Sequence, residues 1–154
     1  MMLVNRHSIL GIADSYPDAD RLERSAFLLL SRLEAEGPMS IGQLAEAFGL
    51  DTSTVNRQTA AMLRTGVAER IPDPDGGLAR KLRITGEGRK RLHLELDWSV
   101  EGLRRLLREW TPLEVDQLVK ALTRFNESLE KLTGKPWPRK AARLSSPPST
   151  WLCG

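Results

Sequence analysis

The spacing of Ala45, Gly49 and Val55 constrains this chain more than any other feature: they are the fifth, ninth and fifteenth residues of a segment counted from Ile41. Two short helices that cross closely need a small side chain on the first helix and a turn residue that tolerates positive φ. They also need a branched residue buried on the second helix. Ala45, Gly49 and Val55 meet these demands in order, with Leu44, Phe48 and Leu50 as the surrounding core. Ser40 caps the first helix with Gln43 as its capping-box partner. Asp51 or Thr52 caps the second, whose apolar face is Val55, Ala60 or Thr59, Met62 and Leu63. Gly66 closes it.

A hairpin follows. Val67–Ile71 and Leu78–Ile84 alternate and carry branched residues, and the joint between them, Pro72-Asp73-Pro74-Asp75-Gly76-Gly77, is dense in turn formers. Thr85 caps a long helix that carries Leu92, Leu96, Val100, Leu103, Leu107 and Trp110. Thr111-Pro112 then restarts the chain as a cap with proline at the first helical position. In the last helix Leu118, Leu122, Phe125, Leu129 and Leu132 alternate four and three apart, the spacing of a seam packed along another helix. That seam reads as intramolecular core or, more in keeping with two long apolar helices flanking a small unit, as a dimer interface. Upstream, Leu22, Ala26, Leu29, Leu30 and Leu33 mark a helix from Asp20 to Glu36, closed by Gly37-Pro38. A short apolar segment precedes a break at Pro17.

The expected fold class is mainly α with a small β-hairpin, a winged helix-turn-helix flanked by N- and C-terminal dimerisation helices. Residues 1–36 form the N-terminal helices, 37–91 the winged unit, 92–134 the C-terminal helices and 135–154 a tail. The tail is rich in Pro and Ser, lacks periodicity and is expected to be disordered beyond Pro138.

Charge is distributed unevenly. The chain has 154 residues and a formal net charge of only +3. Between Arg57 and Arg91, however, Arg57, Arg64, Arg70, Arg80, Lys81, Arg83, Arg89, Lys90 and Arg91 outnumber Glu69, Asp73, Asp75 and Glu87. A basic excess over a helix and hairpin suits phosphate contact. The second helix of the motif exposes Thr52, Ser53, Thr54, Asn56, Arg57 and Gln58, with Ala61 and Arg64 one turn later. Arginine pairs with guanine, Asn and Gln pair with adenine, and short hydroxyls hold phosphate near a helix N-terminus. Asn, Gln and Thr are poor choices for an exposed helix on propensity alone, which favours a functional reason for them. Candidate contacts to double-stranded DNA are therefore Ser40, Thr52, Ser53, Thr54, Asn56, Arg57, Gln58, Arg64, Arg80 and Lys81.

With these residues in place, GPMSIGQLAEAFGLDTS followed by TVNRQTAAMLRTGVAERIPDPDGGLARKLRITGEGRKRL resembles the MarR-type winged-helix transcription regulators. The resemblance runs from about Leu22 to Leu132 and is most specific from Gly37 to Leu92. It implies a homodimer with intertwined first and last helices, acting as a repressor on a pseudo-palindromic operator. The second motif helix would enter the major groove and the wing the minor groove. It also implies relief by a small aromatic or amphipathic effector. Where family members carry an Asp-Arg pair at the wing tip this chain has Gly76-Gly77, which leaves Arg80 and Lys81 as the nearest bases.

Other chemistry finds little support. His7 and His93 lie far apart without ligands at metal spacing, and the single cysteine, Cys153, has no partner thiol. Glu87, Glu95 and Asp97 read as helix-surface carboxylates without an acid–base pairing, and no phosphate loop or nucleophile elbow occurs. No enzyme, metal or cofactor is expected. Trp98 and Trp110 read as core or interface residues rather than pocket lining. Early aspartates argue against a signal peptide, so the expected location is cytoplasmic. The competing function is a winged-helix protein-interaction module without specific DNA binding.

Overall fold

A computed structural model describes residues 22–138. The apolar start, the break at Pro17, His7, Cys153 and the tail beyond Pro138 lie outside the described residues. Five helices and one hairpin follow in order: α1 (Arg24–Glu36), α2 (Ile41–Phe48), α3 (Thr52–Arg64), β1 (Ala68–Ile71), β2 (Lys81–Ile84), α4 (Gly86–Leu106) and α5 (Pro112–Thr133).

Local chemistry sets most of the boundaries. The Ser40 hydroxyl accepts the Gln43 amide at 3.1 Å while the Gln43 side chain accepts the Ser40 amide at 2.8 Å, so α2 starts with two of its free N–H groups satisfied. Gly49 ends α2 in the left-handed conformation at φ 65°. Asp51, rather than Thr52, caps α3 by accepting the Thr54 amide at 2.9 Å. Thr85 caps α4, and Thr111 with Glu114 forms a second capping box ahead of Pro112.

The core lies where α1, α2, α3 and the root of the hairpin meet. Leu30, Leu44 and Val55 are fully buried, with Leu29, Leu33, Met62, Val67, Leu82 and Leu92 close behind. Each such side chain contributes on the order of 1.5–3 kcal/mol through burial. Thr59, not Ala60, completes the buried face of α3, its hydroxyl donating to the Val55 carbonyl at 2.8 Å. Leu50 is exposed, not core. It follows the turn glycine, outside the buried cluster.

The hairpin is antiparallel, with Glu69 opposite Arg83 and Ile71 opposite Lys81. Its second strand is shorter than the Leu78–Ile84 pattern suggests, because Leu78 is fully exposed and pairing begins only at Lys81. A bridge from Met39 extends the sheet on its other side. Met39 and Leu82 exchange hydrogen bonds of 3.0 and 2.7 Å, which fastens the α1–α2 linker to the wing root.

Two readings of α4 change. Trp110 lies beyond its end, in the turn before Thr111. Glu95 is buried, not on the surface, because Gly88, Leu92, Glu95 and Gly102 share the helix face that packs inward. The Leu96, Val100 and Leu103 positions are exposed, as are Leu122, Phe125, Leu129 and Leu132, and α5 has no buried residue. The seam of the last helix is therefore not core of its own protomer. Among the described residues, no helix is long and apolar enough to cross a membrane.

Candidate nucleic-acid interface

The second motif helix, α3, is anchored by Val55, Thr59 and Met62 on one side. Residues spaced four and seven apart on the opposite side, Ser53, Arg57 and Arg64, then project together away from the core. All three are exposed, as are Thr52 and Asn56. The two arginines lie about 10 Å apart along the helix axis at roughly 1.5 Å per residue, within the reach of one major-groove segment. Neither enters an ion pair among the described residues.

The remaining polar candidates are committed differently. The Asp51 carboxylate accepts from the Ser53 hydroxyl, from the Thr54 amide at 2.9 Å and from the Thr54 hydroxyl at 2.8 Å. The Ser53 hydroxyl is the main cause, followed by the Thr54 amide and hydroxyl, of an Asp51 pKa far below its ordinary value. Asp51 is thus ionised at the very end of α3, where a phosphate would otherwise meet free amides. Ser53 and Thr54 can donate to a phosphate only by leaving Asp51, whereas among the described residues nothing comparable holds the Thr52 hydroxyl. Ser40 is half-buried and occupied as a cap.

The two wing bases also diverge. Lys81 bridges Asp73 at 2.7 Å and Asp75 at 2.8 Å, and its side chain is only 12% exposed. The Asp73 side chain further accepts the Asp75 amide at 3.0 Å, which ties the turn into a ring of charge pairs. Hydrogen bonds from Lys81 and then from the Asp75 amide hold the Asp73 pKa below the ordinary carboxylate value, and the same pairs raise that of Lys81. The sequence places Lys81 beside Arg80 as a phosphate donor, but the turn folds Asp73 and Asp75 back onto the first residue of β2 and pairs Lys81 there. Arg80, one residue earlier, is exposed. Arg83 is exposed too, yet it is paired across the strands with Glu69 at 2.8 Å.

Gln58 is half-buried at the edge of α3 and lines an apolar cleft of about 340 Å³ that also includes Arg24, Leu28, Leu29, Phe48 and Leu50. Sequence reasoning missed this cleft. The signal was Leu50, an apolar residue just after the turn that the helix crossing does not use. A second cleft, of about 530 Å³, runs between α1, α2 and the segment after α5, lined by Arg32, Glu36, Gln43 and Trp137 among others. Among the described residues, no cluster of His, Cys, Asp and Glu is arranged to hold a metal ion.

A profile of the MarR family matches residues 22–76, which covers α1 to the wing turn. The uncharacterized HTH-type transcriptional regulator YxaD of Bacillus subtilis (strain 168) is 36% identical over 107 residues, spanning 70% of this chain and 75% of YxaD. Among solved structures, a crystal structure of MarR superposes with a TM-score of 0.71 at 22% identity, covering 88% of this chain and 90% of its own. BpsR of Bordetella bronchiseptica, whose DNA binding is regulated by 6-hydroxynicotinic acid, superposes with a TM-score of 0.59 at 19% identity, covering 80% and 96%.

Proposed function

Because this chain belongs to the MarR family of winged helix-turn-helix transcriptional regulators, we propose that it acts as a homodimer on a pseudo-palindromic operator, as a repressor relieved by a small ligand. The observation that carries the DNA-reading part is the exposed face of α3. Arg57 and Arg64 stand opposite the buried Val55–Thr59–Met62 face, without carboxylate partners among the described residues. Two exposed guanidinium groups on a rigidly packed helix suit bidentate recognition of guanine. Thr52 and Asn56 flank them. Arg80 is the wing base free to reach a neighbouring groove, while Lys81 shapes the turn.

The unburied stripe of Leu122, Phe125 and Leu129 on α5, continued by Leu96, Val100 and Leu103 on α4, supports dimerisation. An apolar surface of that extent is seldom left to water, and a second copy with the same stripe covers it by two-fold symmetry. The apolar cleft shared by α1 and Gln58 of α3 supports relief by an aromatic or amphipathic compound, since an occupant there touches the reading helix.

Selection of bound duplexes from a random-sequence pool tests the reading. The expected product has two inverted half-sites separated by about one helical turn. Arg57→Ala then weakens the selected operator by roughly 1–3 kcal/mol and relaxes specificity within each half-site. Recovery of no preferred sequence, or unchanged affinity in the variant, overturns it.

A further inference from the structure

Beyond α5 the chain turns back on the reading unit. Gly134 ends α5 in the left-handed conformation at φ 65°, and Lys135, Pro136 and Trp137 then cross α1 and α2. These residues open the tail assigned to 135–154 and precede Pro138, beyond which disorder is expected. The Trp137 ring meets Phe48 edge-on, with centroids 5.8 Å apart and planes inclined by 66°. Arg32 lies 5.2 Å from the Trp137 ring centroid, and its guanidinium reaches the Pro136 carbonyl at 3.5 Å. Glu36 fixes that guanidinium through bonds of 2.7 and 3.0 Å. The Lys135 ammonium lies so close to Gly49 that a Cβ there would sit 2.7 Å from it. A positive charge thus sits beside the negative end of α2.

Two of these contacts, Trp137 to Phe48 and Lys135 to Gly49, fall on the turn of the helix-turn-helix, and Arg32 anchors the segment to α1 beside it. Phe48 is the last residue of α2 and Gly49 the turn residue itself. The segment that grips them is continuous with α5, none of whose residues is buried in the protomer. Packing along its length therefore does not fix α5 to the reading unit, and its far end is attached through these few residues.

We propose that Lys135–Trp137 is a strap, and that Trp137 and Arg32 are positioning residues that set the reading helix relative to the dimer arm and so determine the half-site spacing the protein accepts. The proposal rests on the dimeric DNA-binding reading above. A strap that holds the turn fixes the distance between the two reading helices in advance, and the ordering cost is met before DNA arrives. A released strap leaves each helix free to adjust.

Three chains test it: wild type, Trp137→Ala and Trp137→Phe, the last keeping an aromatic edge for Phe48 and a face for Arg32. Hydrogen exchange at the Gly49 and Leu50 amides, bonded to Glu46 and Ala45 carbonyls in the turn, reads the strap without DNA. Expected is about tenfold faster exchange in Trp137→Ala, with wild-type rates in Trp137→Phe and an unchanged dimer mass. On the selected operator Trp137→Ala loses about tenfold in affinity, and its penalty for a spacer changed by one base pair shrinks relative to wild type. Unchanged exchange at the turn overturns the strap whatever the DNA result. Faster exchange with an unchanged spacing preference overturns its role in specificity. A wild-type protein that binds no duplex overturns the DNA reading instead, while exchange still judges the strap.

Discussion

Replacing Gly88 with alanine tests how the wing is mounted. Gly88 sits in the first turn of α4, buried where that helix meets the roots of both wing strands. A Cβ built there lies 1.9 Å from the Val67 carbonyl oxygen, 2.8 Å from its carbon and 3.0 Å from Ile84 Cγ1. A carbon approaches a carbonyl oxygen to about 3.3 Å at best, so α4 and β1 must separate by more than about 1 Å. No rotamer relieves this, because the obstacle is backbone. The separation strains the Thr85 amide bond to Val67 O, now 3.2 Å, and the Thr85 hydroxyl bond to Gly66 O at 2.7 Å. It also draws Leu92 out of the core. Overpacking of this kind costs about 1–3 kcal/mol and a weakened hydrogen bond about 1 kcal/mol, offset by about 1 kcal/mol of helix propensity gained on leaving glycine. The expected net loss is about 1–3 kcal/mol, or roughly 2–12 °C in Tm for a chain of this size. Urea and thermal unfolding at one fixed protein concentration measure it, since a dimer's stability depends on concentration. Gly86→Ala is the internal control. Nothing lies within 4 Å of its added Cβ, so its stability should match or slightly exceed wild type. A Gly88→Ala protein within about 0.5 kcal/mol of wild type would refute the packing argument.

Three further outcomes are expected. Phe125→Glu places a charge on the exposed stripe of α5, and sedimentation at micromolar concentration should show the monomer mass; a persistent dimer would move the interface elsewhere. Lys81→Met removes the cation shared by Asp73 and Asp75, so protease should cut the wing turn faster, whereas Arg80→Met should leave cutting unchanged and weaken DNA binding; the reverse pattern would exchange the roles given to the two bases. Asp51 contributes through a depressed pKa. Its stabilisation is therefore fully present above its ordinary value of 3.8 and is lost as pH falls through the lower folded value. Asp51→Asn should accordingly lower Tm at pH 7 and narrow its gap to wild type toward pH 2, and a gap constant across that range would contradict the cap's charge.

The helix-turn-helix was legible because its determinants are local. Ser40 with Gln43, Gly49, Thr85 and Thr111-Pro112 act within three or four residues of themselves, and the chain carries their signals in order. The basic bias of the second helix and hairpin was legible too, as was the α5 stripe as an unsatisfied apolar face. What those charges do was not. Lys81 and Arg80 are adjacent and chemically alike, yet the folded-back turn brings Asp73 and Asp75 to Lys81 and leaves Arg80, just outside the strand, exposed. Glu95 has the composition of a surface residue, and only the packing of α4 decides that it is buried. Met39 pairs with Leu82 and Trp137 with Phe48 across long separations that no periodicity encodes. Amino-acid order determined where each element starts and stops, because capping and turn chemistry are short-range. The tertiary structure alone decided which charges are spent inside the protein and which remain for a partner, because that depends on neighbours brought together from distant parts of the chain.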